Sequence, residues 1–172
     1  MFFVHLQAKL THFLQMQALN LPKTELKFGK QGQRTTVYDI FRRKYVVLTP
    51  EEWVRQHFAR YLVEHKGFPA ARMATEVSLR LAGMQKRCDC VCYDRHMRPM
   101  VIVELKAPSV TLSQEVMNQI CRYNMALHVP YLMLSNGLCH VCAHIDYETG
   151  EYRYLHDIPL WSEICGDSPR TV

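Results

Sequence analysis

No apolar run in the chain approaches the ~18 residues of a membrane span. The first stretch, MFFVHLQAKLTHFLQMQ, is apolar only in patches. His5, Lys9 and His12 interrupt it, so it offers no continuous signal-peptide core. No G-x-x-x-x-G-K-[ST] loop is present, which excludes a motor ATPase of that type. There is no internal repeat and no low-complexity tract, which argues against a solenoid or a tail of biased composition. Acidic residues are scarce at the start: residues 1–50 hold two, against eight lysines and arginines. The rest of the chain holds fourteen against thirteen. The net charge of +5 therefore lies in an N-terminal arm, where Lys23, Lys27, Lys30, Arg34, Arg42, Arg43 and Lys44 precede the expected core. Such an arm suits a polyanionic partner. A solvated surface accounts for the same charge equally well.

Cysteine is not lacking, but a disulfide framework is. The seven cysteines are an odd number, and Cys88, Cys90 and Cys92 alternate along one strand, so they point the same way and cannot cross-link without distortion. This points to a reducing cytosol. "CHVCAH" offers Cys139, His140, Cys142 and His144, but its spacing has no matching partner pair for zinc or an iron–sulfur cluster. Small buried thiols are the expected reading. A soluble, cytoplasmic protein without a membrane or a small-molecule substrate follows.

At 172 residues, 48% hydrophobic, the chain is one domain with extensions. Residues 1–20 have helical spacing, with Leu6, Leu10, Phe13, Leu14 and Met16 in phase. Residues 1–15 are either an extension or a mis-set start. The clearest helix start is TPEEW: Thr49 caps it, Pro50 takes the first position, and Glu52 completes a capping box. Val54, Phe58, Tyr61 and Leu62 give that helix one apolar face, and HKGFP ends it near Lys66. Strands are expected at about 74–82, 87–93 and 100–106, a second helix at about 113–127, and then a strand ending in an Asn-Gly turn. The order predicts an α/β sandwich around a small mixed sheet. The expected division is a basic extension over 1–48, a core over 49–145, and a hairpin and tail over 146–172.

Three charged residues sit in runs otherwise fit for burial: Asp89 in RCDCVCYD, and Glu104 and Lys106 in VIVELKAP. Such groups are costly there unless something pairs with them. In a hairpin closed around residues 96 and 97, Asp89 lies opposite Glu104 and Arg87 opposite Lys106. Directly opposed Cβ atoms are ~4.5–5.5 Å apart, so two carboxylates there repel and need a cation. Mg²⁺ commonly takes one or two carboxylates plus waters and substrate phosphates. Lys106, on the same face as Glu104, would supply a further cation beside it. Two carboxylates and a lysine are a minimal set for metal-dependent phosphodiester hydrolysis. An ordinary cross-strand ion pair, Asp89 with Lys106 or Arg87 with Glu104, is the alternative.

The order helix, strand, Asp-bearing strand, E-x-K strand, helix resembles the PD-(D/E)XK nuclease superfamily, the restriction-endonuclease-like three-layer sandwich with core order αβββαβ. More narrowly, "IFRRKYVVLTPEEWVRQHF", "KRCDCVCYD", "VIVELKAPSV", "NQICRYN" and "LSNGL" are similar to the N-terminal domain of the type I restriction enzyme R (HsdR-like) subunit, over about Asn20 to Ile145. The resemblance implies a DNA endonuclease using Mg²⁺ or Mn²⁺. It implies that Asp89 and Glu104 hold the metal, that Leu105 lends a backbone carbonyl, and that Lys106 is the catalytic lysine. Cys88 replaces the proline of the eponymous motif. Gln119 and Tyr123 match a Q-x-x-x-Y motif and share one helix face, to order the site or touch DNA, with core packing as the alternative for Tyr123. Glu76, expected near Val91, is a helper for metal or water. Glu52 is another, its capping role being sufficient without it. Arg87, Arg42, Arg43 and Lys44 are expected to meet DNA. A full R subunit would continue into a motor, so partner subunits of a restriction or repair system would supply motor or specificity. A non-cleaving nucleic-acid-binding or assembly module of the same fold is the second reading.

Overall fold

The structure, a computed structural model, describes residues 16–81 and 83–166. The helix expected over residues 1–20 and the question of residues 1–15 lie outside the described residues, apart from the last few positions. A small antiparallel sheet comes first: β1 (Phe28–Gln31), β2 (Arg34–Asp39) and β3 (Lys44–Val47). Helix α1 (Pro50–Lys66) follows, then β4 (Met73–Leu81), β5 (Met84–Tyr93) and β6 (Pro99–Leu105). Helix α2 (Gln114–Leu127) crosses to β7 (Tyr131–Ser135), which leads to β8 (His140–Ile145), β9 (Tyr152–Leu155) and a short α3 (Trp161–Cys165). Strands β4 to β9 form one six-stranded sheet in sequence order. Only the β6–β7 pair is parallel, because α2 carries the chain back to the same end before β7 begins. The fold is the expected mixed α/β sandwich. Its sheet does not stop at residue 145, since β9 pairs with β8 and α3 joins the core. Among the described residues, no helix is long and apolar enough to cross a membrane.

Two buried clusters cover the two faces of the large sheet. Val54, Phe58 and Leu62 of α1 pack on Val101, Val103 and Leu105 of β6, with Trp161 and Ile164 of α3 closing the same side. Ile120 and Tyr123 of α2 pack with Ile102, Leu132 and Leu134 on the other. The alternation Val101, Ile102, Val103 along β6 is what divides the strand between both layers. Burying an aliphatic side chain fully is worth about 1.5–3 kcal/mol, and α1 and α2 are held mainly by such contacts.

Local signals fix the ends of these elements. Thr49 Oγ1 accepts the Glu52 N–H at 3.0 Å, and Gly67, at φ 72°, ends α1 in the left-handed conformation. Asn124 accepts the Val129 N–H and donates to the Val129 carbonyl, which ties the end of α2 to the entry of β7. In the Asn-Gly turn, Asn136 Oδ1 accepts the N–H groups of Leu138 and Cys139, and its amide donates to Val110. That last bond anchors the loop that follows Lys106.

All seven cysteines are free. They do not all face one way: Cys90 and Cys92 pack in the α1 layer, whereas Cys88 lies in the α2 layer beside Leu79. The expected common direction fails because the strand loses its alternation at Asp89. Opposite it, Glu76 has φ 57°, a left-handed conformation that a strand rarely contains. Burial pushes the Cys88 and Cys142 thiols up to about 12, so neither ionises near neutrality.

Candidate active site

The site is built at a fork between two strands. β5 and β6 pair only through Cys90–Val103, Val91–Ile102, Cys92–Val101 and Tyr93–Pro99. The irregularity lies at Cys92/Tyr93, on the turn side, so the register toward Asp89 is undisturbed. Past Cys90 the strands part. Residues Met84–Cys88 pair with β4, while Glu104 and Leu105 pair with β7. Asp89 sits in the opening, and its side chain takes over the role of a missing ladder carbonyl: Oδ2 accepts the Leu105 N–H at 2.7 Å. This fixes the carboxylate beside the start of the ELK segment.

Glu104 is the next residue along β6, 3% exposed. Its Oε1 accepts from Lys106 Nζ at 2.6 Å and from Gln119 Nε2 at 2.7 Å. Gln119 donates its second hydrogen to the Tyr123 hydroxyl at 2.9 Å, one turn further along α2. Gln119 thus orients Glu104, and Tyr123, whose ring is part of the α2 layer, orients Gln119. The remaining oxygen, Glu104 Oε2, is buried and has no partner. Burial, and then the charge of Asp89, raise the Glu104 carboxyl to about 7. Burial disfavours the charged form of Lys106, but its bond to Glu104 outweighs this and holds the ammonium above the ordinary lysine value. Leu105 takes part through its backbone alone, because its side chain is buried in the α1 layer.

Glu76 is placed differently from expectation. The β4–β5 turn closes between Leu81 and Met84, one position earlier than assumed, and this moves every facing pair by two residues. Ala74 faces Val91, and Glu76 falls between the pairs Thr75–Cys90 and Val77–Cys88, level with Asp89. Its Oε2 meets Arg87 Nε at 2.6 Å. Arg87 consequently does not stand opposite Lys106. It is 66% exposed on a rim of the site, paired to Glu76.

Glu52 is the second revision. Its backbone N–H completes half of the capping box, but its carboxylate turns away from the helix end. It accepts from Arg42 Nη2 at 2.5 Å, Arg55 Nη1 at 2.7 Å and Gln56 Nε2 at 2.8 Å. Arg42 is the third. Its side chain is 17% exposed, held by Asp39 and Glu52 with Glu76 at 3.7 Å, so it offers no free cation to DNA. Asp39 in turn accepts the N–H groups of Phe41 and Arg42. Burial opposes its ionised form, yet the bonds from Arg42 win and lower its pKa. By contrast Lys23, Lys27, Lys30, Arg34, Arg43 and Lys44 are exposed.

The residue that sequence reasoning missed is Arg55. Its Nη2 lies 2.6 Å from Asp89 Oδ1 and 3.2 Å from Glu51, and its Nη1 lies 2.7 Å from Glu52 and 3.3 Å from Glu76. A signal existed: Arg55 stands three residues before Phe58 and seven before Leu62, on the buried side of α1. A cation there needs buried acids to face it.

The family model described as "Type I restriction enzyme R protein N terminus (HSDR_N)" matches residues 50–159, from the first turn of α1 to just past β9. The chain belongs to this family. Among solved structures, a fragment assigned as an HsdR subunit of a type I restriction enzyme from Vibrio vulnificus YJ016 matches with a TM-score of 0.50 at 23% identity. The match covers 70% of this chain and 26% of that one. The matched part thus spans about a quarter of that fragment's chain, and the likeness is one of fold. No curated protein matches the chain.

Does this HSDR_N-family site fit a divalent ion? Among the described residues, no group of three or more His, Cys, Asp or Glu side chains is arranged as a metal cage. Two observations nevertheless favour a cation. Glu104 Oε2 is a buried acceptor without a donor. The linked acids Asp39, Glu51, Glu52, Glu76, Asp89 and Glu104 also outnumber the cations Arg42, Arg55, Arg87 and Lys106 by two. A two-carboxylate site completed by water and phosphate oxygens suits Mg²⁺.

The raised Glu104 pKa has a measurable consequence for the metal-free protein. An acid whose folded pKa lies above its ordinary 4.5 contributes stability below pH 4.5, and loses it as pH rises through about 7. The melting temperature of wild type relative to Glu104→Gln, measured in chelator, should therefore fall between about pH 5 and pH 8. The full change is on the order of 3 kcal/mol. A difference that stays flat over this range would place the Glu104 carboxyl in a solvated setting.

Proposed function

We propose that this chain is a divalent-cation-dependent DNA endonuclease domain of the PD-(D/E)XK kind. The observation that carries the reading is the meeting of Asp89, Glu104 and Lys106 at one strand fork, with a buried Glu104 oxygen left unpartnered. Asp89 and Glu104 would hold Mg²⁺ or Mn²⁺, with the Leu105 carbonyl as a further ligand. When bound, such an ion supplies Lewis acidity toward a phosphate oxygen and lowers the pKa of a bound water. The chain's own residues do the rest. Lys106 places a positive charge beside Glu104, where it orients the attacking water and offsets developing negative charge. Gln119 holds the Glu104 carboxylate at a fixed rotation, and Tyr123 holds Gln119. Exposed Arg43, Lys44 and Arg87 would contact phosphates without reading sequence. Further subunits of a restriction or repair system would supply translocation and specificity.

A second reading, a nucleic-acid-binding or assembly module that does not cleave, is favoured by the Arg55–Asp89 pair, which occupies a metal carboxylate with a guanidinium. Purified protein with supercoiled, linear and single-stranded DNA decides between them. Nicking or cutting that needs Mg²⁺ or Mn²⁺ and stops with chelator is expected. Binding without cleavage of any DNA form would select the second reading.

A further inference from the structure

Arg55 reaches Asp89 from the opposite layer of the sandwich. Its helix packs on the face that holds Val103 and Leu105, whereas Glu104 is ordered by α2 on the other face. The guanidinium is almost fully buried and meets four carboxylates. Glu51 and Glu52, on its own helix, are ordinary local partners at one-turn spacing. Asp89 is not local: it lies 34 positions along the chain, and its bond is the shortest of the four at 2.6 Å.

The two candidate metal carboxylates are thereby left in different states. Glu104 keeps a buried oxygen with no donor. Asp89 has both oxygens engaged, one by Arg55 and one by the Leu105 N–H. A divalent ion bound between them would sit against a fixed positive charge in a site with little water to screen it. Removing that charge would leave buried acids without a counter-ion, a costly state that a divalent ion relieves.

We propose that Arg55 is a resident counter-ion that sets the affinity of this site for a divalent cation. It holds Asp89 in place while no ion is bound, it weakens ion binding by like-charge repulsion, and a bound ion takes over its partnership with Asp89. Arg55 is on this account a positioning residue. The inference rests on the metal site proposed above.

The test is calorimetric titration of Mn²⁺ into wild type, Arg55→Gln and Arg55→Lys, with melting curves in chelator and in Mn²⁺. Arg55→Gln should melt lower than wild type in chelator, bind Mn²⁺ about tenfold more tightly or better, and gain a larger upward shift on adding it. Arg55→Lys retains the charge without the fork, and should bind Mn²⁺ within a few-fold of wild type. If Arg55→Gln is unfolded in chelator, folding recovered with Mn²⁺ supports the same conclusion by circular dichroism. An Arg55→Gln protein that binds no more tightly than wild type, or stays unfolded in saturating Mn²⁺, overturns it and leaves Arg55 a purely structural brace. Failure of the underlying reading is separate: if neither wild type nor Arg55→Gln binds Mn²⁺, there is no metal site for Arg55 to tune.

Discussion

Asp89→Ala is expected to lose both metal-dependent cleavage and the Mn²⁺-induced rise in melting temperature, whereas Lys106→Ala loses the first and keeps the second. The two residues stand within one short segment of structure but serve different ends. Asp89 is aimed into the fork by the Leu105 N–H and would be a direct ligand. The Lys106 ammonium bonds Glu104 and not Asp89 among the described residues, so its removal leaves both carboxylates in place. Its loss takes away the cation that offsets developing charge, an effect of about 10²–10³-fold in rate. An ion present at 100 times its dissociation constant stabilises the native state by about 2.7 kcal/mol. For a chain of this size that is a shift of about 5–10 °C. Wild type and Lys106→Ala should show it, and Asp89→Ala should not. Alanine at position 89 also deprives the buried Leu105 N–H of its acceptor, at a cost of about 1–3 kcal/mol. Asp89→Asn keeps an acceptor there, so it separates loss of metal from loss of fold. Metal-dependent stabilisation that survives in Asp89→Asn and Asp89→Ala would move the ion elsewhere.

The parts of this molecule that were legible in its sequence are those set by near neighbours. Thr49 and Pro50 start α1 where the capping pattern puts the start, because an N-cap needs only the next three residues. The β5–β6 register follows from one short turn, so three facing pairs were readable, and with them the approach of Asp89 to the ELK segment. Gln119 and Tyr123 were readable as partners because one helical turn separates them. What was not legible depends on distant groups. The β4–β5 hairpin closes on the Leu81–Met84 pair, which shifted the residue facing Glu76 by two positions, and strand pattern alone does not distinguish such registers. Glu52 had a sufficient local role as a cap, and it took the approach of Arg42 from the β2–β3 turn to show its second one. The side of the sheet that Cys88 faces depends on the backbone of Glu76, on another strand. Arg55 is the clearest case: helical phase puts it on the buried side of α1, but two of its four acidic neighbours come from distant strands, and no local pattern names them.

Arg42→Ala is expected to destabilise the fold by about 3–5 kcal/mol while leaving the salt dependence of DNA binding unchanged. The neighbouring Arg43→Ala with Lys44→Ala should do the reverse. Adjacent residues of like charge thus have opposite jobs, and the β2–β3 turn decides which. Asp39, 0% exposed, draws Arg42 inward with its side chain, while Arg43, at φ 51°, swings the chain back out. Removing the Arg42 guanidinium leaves Asp39 and Glu52 as buried acids short of a counter-ion, with Arg55 the nearest remaining cation for Glu52. Arg43 and Lys44 are exposed and, among the described residues, form no ion pair with that acid network. If they neutralise phosphates, removing either cation lowers the slope of log K against log salt by about 0.9 on duplex DNA. The paired measurements are thermal melting of each variant and DNA binding titrated across salt concentration. A lowered slope with an unchanged melting temperature for Arg42→Ala would return that residue to the DNA surface, and would mean that the acid network does not hold it.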